Sequence, residues 1–123
     1  MPFRDPGQSL RDIADAINLI KQFTAGMDFH AFREDPKTIA AVERKLLMIS
    51  EAAIRLGDEA EIRCPGIPWR DIRGIGNWLR HQYDAIELPV VWKTVRDSLS
   101  PLEAAVLRAL EPPPSNSVGV SSR

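Results

Sequence analysis

The sequence predicts an all-α protein, a bundle of four to five helices in up-and-down order. Three observations predict it. Apolar residues recur at the helical 3.6-residue spacing in successive windows. No window alternates apolar and polar residues as a half-buried strand would. Prolines and glycines, 10 and 7 in number, stand mostly at the ends of the periodic windows, where helices start and stop.

The first window runs from Ser9 to about Thr24, with Leu10, Ile13, Ile17 and Ile20 on one stripe. Ser9 is the expected N-cap and Gly26 the stop. A linker containing Phe29, His30 and Phe32 follows. Asp35-Pro36 then reads as a helix start, a capping carboxylate followed by proline at the first helical position. That helix carries Ile39, Val42, Leu46, Ile49, Ala53 and Leu56 inward, and Gly57 is its expected C-cap.

A loop through Cys64-Pro65-Gly66-Ile67-Pro68 leads to the third long helix, from Trp69 to about Asp84. Pro89 and Pro101 are read as the starts of a fourth and a fifth helix. The helical domain is expected over 1–111, with 112–123 a disordered Pro/Ser-rich tail.

Composition narrows the function. With 123 residues the chain suits one domain and a single core. A net charge of −1 excludes a broadly basic nucleic-acid coat, so any nucleic-acid contact must be a local cleft. No apolar run reaches the roughly 18 residues of a membrane span. The N-terminus lacks a secretory pattern. The single Cys64 has no partner for a disulfide and no base beside it, so the expected location is cytoplasmic.

The third helix is the informative segment. At about 100° per residue, Arg70, Arg73, Asn77, Arg80, His81 and Asp84 gather on roughly one third of its circumference. Trp69, Ile72, Ile75, Leu79 and Tyr83 fill the neighbouring apolar sector. Arginines bind a phosphodiester, and a histidine moves a proton near neutral pH. Trp78 points about 180° from Trp69 and is expected to be exposed, as a subunit contact or packed by the tail. His30, between two phenylalanines, is expected to be structural.

Three blocks carry a family resemblance: Glu34-Asp35-Pro36-Lys37-Thr38-Ile39-Ala40-Ala41-Val42, Ile49-Ser50-Glu51-Ala52-Ala53, and the long run from Ile67 to Tyr83. Together they resemble the HepT-like ribonucleases of the HEPN superfamily, over roughly residues 9–111. The resemblance implies a helical homodimer and a toxin that cleaves RNA without metal or cofactor. It also implies a nucleotidyltransferase-like antitoxin as partner. The family motif is an arginine, four to six residues, a histidine, then often one residue and a tyrosine. His81 and Tyr83 match its second half, and Tyr83 is then the candidate for regulatory adenylylation by the antitoxin.

The first half departs from the motif. Gly76 stands where the family usually places arginine before asparagine, here Asn77, and Arg73 and Arg80 flank the gap. Metal-independent cleavage needs a base for the 2′-hydroxyl and a cation for the transition-state charge. His81 is the expected proton carrier, with its partner-subunit copy the expected second one. Arg73 and Arg80, about 20° apart on the ideal helix, are expected to grip the phosphate. Asn77 is expected to orient the imidazole or substrate, with Glu51 and Asp12 as supporting carboxylates. The alternative reading is a catalytically degenerate binding subunit for a nucleotidyltransferase-like partner. A third is a regulator whose arginines hold a mononucleotide phosphate.

Overall fold

The structure, a computed structural model, describes residues 5–80 and 87–112. All regular elements among the described residues are helical, as the periodicity predicts: α1 (Pro6–Phe23), α2 (Phe29–Arg33), α3 (Pro36–Leu56), α4 (Asp58–Arg63), α5 (Trp69–Arg80), α6 (Leu88–Lys93) and α7 (Leu99–Leu110). A π-helical turn over Thr94–Ser98 joins the last two.

Helix α1 starts earlier than Ser9. The Asp5 carboxylate accepts the Gly7 N–H at 2.9 Å and Pro6 fills the first position, so the cap lies one turn upstream. Ser9 is buried instead. Helix α3 has the predicted limits: Asp35 accepts the Thr38 N–H at 3.1 Å, and Gly57 adopts φ 54° at its end. That capping hydrogen bond also holds the Asp35 carboxyl below its ordinary pKa.

Two short helices lie outside the predicted ones, α2 in the expected linker and α4 in a stretch to which the periodicity assigns no element. In α2, Asp28 caps the turn through the Ala31 N–H at 2.8 Å and Phe32 becomes fully buried. Its ring packs on Trp92 with centroids 4.9 Å apart, tying the linker to α6. In α4, Asp58, Glu59 and Glu61 fill the first turn and Arg63 the last, the arrangement the helix dipole favours. Helices of five or six residues are too short to show a 3.6-residue period.

The fourth and fifth predicted helices start within two residues of Pro89 and Pro101, but no break separates them, and helical structure continues over 88–110. Pro101 sits in the first turn of α7, directly after the π turn over Thr94–Ser98. The π turn immediately before it shifts the hydrogen-bond ladder.

Helix α1 packs against α3 and α7, and α5 lies along the other side of α3. Leu10, Ile13, Ile17 and Ile20 of α1 meet Val42, Leu46 and Ile49 of α3 and Leu102 and Val106 of α7 in one core. Arg55 and Asp12 at 3.1 Å bridge α3 to α1, and Lys21 and Glu103 at 2.6 Å bridge α1 to α7. Half-exposed pairs of this kind fix helix register more than they stabilise. Ile17→Ala should therefore lower the unfolding free energy by about 2–5 kcal/mol, measured by urea denaturation.

Candidate functional site

The site is built on α5. Its start is fixed by Trp69, which is fully buried and donates from Nε1 to the Cys64 carbonyl at 2.9 Å. Its middle lies on α3 at unusually short range. A β-carbon at Gly76 would stand 3.0 Å from Leu47 Cδ1 and 3.1 Å from Ser50 Oγ. Ser50, 1% exposed, donates its hydroxyl to the Arg73 carbonyl at 2.9 Å and accepts the Gly76 N–H at 3.1 Å. Absence of a side chain at 76 lets this hydroxyl reach the backbone of α5.

The same point locates Arg80. One of its guanidinium nitrogens lies 3.5 Å from where the Gly76 β-carbon would be. The Arg80 side chain thus folds back over the glycine, at the position where the family usually has an arginine. Arg80 and Asn77 are both exposed.

Arg73 is placed differently. It forms a two-point pair with Glu61 at 2.9 and 2.7 Å, and donates to the carbonyls of Gly57 at 2.8 Å and Ala53 at 3.4 Å. These carbonyls stand at the junction of α3 and α4, where the Gly57 carbonyl also accepts the Ala60 N–H at 3.1 Å. The Arg73 hydrogen bonds hold the Glu61 carboxyl below the usual range, and Glu61 raises the Arg73 pKa in return.

The two arginines are therefore not joined at one phosphate. They share an angular sector, but seven residues separate them by about 10 Å along the helix axis. The Glu61 carboxylate from α4 takes the first of them.

Of the supporting carboxylates, Asp12 is bound to Arg55 and accepts from Gln8 at 2.9 Å, so it serves the α1–α3 contact. Glu51 is exposed on α3. Trp78, expected to be exposed, is half-buried and packs against the core. His81, Tyr83 and Asp84 lie outside the described residues. Among the described residues, no group of three or more His, Cys, Asp or Glu side chains is placed to hold a metal ion.

Three residues of this region escaped the sequence reading. Ser50 and Glu61 carry no local signal, because each acts on a residue more than ten positions away. The third is Glu43, one turn before Leu47 on the same face of α3. One of its carboxylate oxygens is buried without a partner among the described residues, and burial pushes its pKa up.

An all-α bundle whose fifth helix presents arginines and an amide to solvent belongs to the small helical proteins equipped to bind a phosphate-bearing ligand. The model of the family described as "Ribonuclease HepT-like" matches residues 13–109, and the chain belongs to that family. A Thermococcus cleftensis protein named "Probable ribonuclease HepT" is 38% identical over 94 residues, spanning 76% of this chain and 86% of its own length. Two Methanocaldococcus jannaschii proteins whose names mark them as candidate RNases are also similar. One is 29% identical over 106 residues, covering 86% of this chain and 97% of its own. The other is 34% identical over 95 residues, covering 77% and 78%. No solved structure gives a significant match. Among the described residues, no helix is long and apolar enough to cross a membrane.

Two outcomes follow from the packing. Gly76→Ala should cost about 1–3 kcal/mol in urea denaturation, because the added methyl overpacks the α3–α5 contact. The Arg73–Glu61 pair stabilises the fold while Glu61 is ionised. Its folded pKa lies below its unfolded one, so the stabilisation is present above the ordinary glutamate range and is lost as pH falls through the folded value. In Glu61→Gln, urea midpoints should decline less between about pH 5 and 3 than in the parent chain.

Proposed function

We propose that this protein is a metal-independent endoribonuclease, the toxin of a toxin–antitoxin pair acting in the cytoplasm. The family match over residues 13–109 carries the ribonuclease reading. The position of Arg80 over Gly76 supports a working site despite the missing motif arginine. His81 takes the 2′-hydroxyl proton, imidazole being the side chain suited to proton transfer near neutral pH.

Arg80 holds the phosphate and its developing charge. Asn77, exposed one turn before His81 in sequence, orients imidazole or substrate. Arg73 acts as a positioning residue, through Glu61 and the end of α3. A second proton carrier comes from His81 of a second copy in a homodimer. Tyr83 is the point at which a nucleotidyltransferase-like antitoxin silences the protein by adenylylation.

The second reading, a degenerate binding subunit for that partner, is favoured by one observation. Position 76 is glycine, and the packing leaves no room there for a side chain without moving Leu47 or Ser50. Such a subunit would co-purify with the partner yet cause no growth arrest when expressed alone.

Purified protein should cleave single-stranded RNA in excess EDTA. His81→Ala should lower the rate by about 10²–10⁴, and Arg80→Ala by about 10²–10³, with circular dichroism unchanged in both. Full-rate cleavage by His81→Ala would remove histidine from the mechanism. Full-rate cleavage by Arg80→Ala would return the cation to another arginine.

A further inference from the structure

The flank of α5 that begins at Arg70 and runs away from Arg73 and Arg80 carries groups that the cleavage mechanism does not use. Trp78, Asp71 and Arg70 line a groove of about 390 Å³ between α5 and the segment holding Val91 and Thr94, with Leu46 and Ile75 contributing apolar lining. That size lies within the roughly 300–1,000 Å³ of small-molecule sites. Asp71 and Arg70 are exposed and make no ion pair among the described residues. Asp71 and Trp78 are seven residues apart, so they lie on the same flank about 10 Å apart along the axis. Between them, a β-carbon at Gly74 would meet nothing within 4 Å, and the helix surface there is bare.

We propose that this groove is a nucleobase subsite that takes a guanine of the RNA beside the cleaved phosphate. The proposal rests on the ribonuclease reading and adds a base preference to it. The three groups divide the recognition of one nucleotide. The Trp78 indole, backed by the core, offers a fixed face for stacking. The Asp71 carboxylate accepts hydrogen bonds only, which suits the adjacent N1–H and N2–H donors of guanine. Uracil presents a single N–H between two carbonyl oxygens, which face the carboxylate unfavourably. Arg70, on the ridge of α5, is placed for a phosphate oxygen. A cation and an anion around an indole, neither ion-paired among the described residues, match the phosphate and the donor edge of a nucleotide. A purely apolar partner surface would leave both charges uncompensated.

The test follows the indole N–H signals of the full chain, of which there are three tryptophans, by ¹H–¹⁵N NMR during titration with GMP or UMP. Trp78→Phe identifies the relevant signal. GMP should shift it and bind at least about fivefold more tightly than UMP. Asp71→Asn should abolish that preference, and Trp78→Ala should weaken GMP binding about tenfold. In RNA digests, Asp71→Asn should lose cleavage beside guanine while retaining cleavage elsewhere.

A Trp78 signal unmoved by GMP, or a guanine preference that survives Asp71→Asn, overturns the subsite. A signal that moves with protein concentration alone also overturns it, because a second copy of the chain then fills the groove. If GMP binds at Trp78 but no RNA is ever cut, the groove stands and the ribonuclease reading fails. If RNA is cut without base preference and GMP leaves Trp78 unmoved, the reverse holds.

Discussion

The closeness of α3 and α5 governs the rest of this structure. At Gly76 the two helices meet so closely that a β-carbon would stand 3.0 Å from Leu47 and 3.1 Å from Ser50 and would press on both side chains. A buried serine hydroxyl occupies the contact and bonds to the backbone of α5 on both its donor and its acceptor side. Buried polar groups are tolerated when satisfied, and then specify one geometry. Here that geometry fixes how α5 is rotated on the core. The rotation turns Ile72 inward and Arg70, Asn77 and Arg80 toward solvent.

The same contact explains how one motif position can be empty while a guanidinium remains beside it. A side chain leaving α5 at 76 would press on the Leu47 and Ser50 side chains of α3. A side chain one turn later can lie back across the glycine, since helical side chains lean toward the N-terminal turn. Glycine at 76 and arginine at 80 are in this sense a matched pair, and the Arg73–Glu61 clasp secures the helix from its other end.

Much of the fold was legible because the long helices carry their own instructions. The stripes of α1 and α3, the Asp35-Pro36 start and the Gly57 stop are local signals, and the structure keeps them. The misses have a common cause. Helices α2 and α4 hold too few residues for a period, and the π turn that joins α6 to α7 leaves no local signal that a 3.6-residue wheel can read. At the site, angular position on α5 was readable and its neighbours were not. Arg73 and Arg80 share a sector of the helical wheel, but a wheel carries no axial distance and no view of Glu61, twelve residues earlier on a different helix. Ser50 looked like one more small residue in a helix. Its role exists only once α5 is laid against it.

Cys64 shows a further consequence of this packing. The thiol is buried at the junction between α4 and the start of α5, donates to the Ala105 carbonyl on α7 at 3.6 Å, and has its pKa pushed up by burial. Thiolate is the reactive form, so alkylating reagents meet an inert sulfur while these segments stay closed. With a single cysteine in the chain, labelling speed becomes a native clock for local opening, counting how often α7 lifts from the Cys64 junction without any engineered probe.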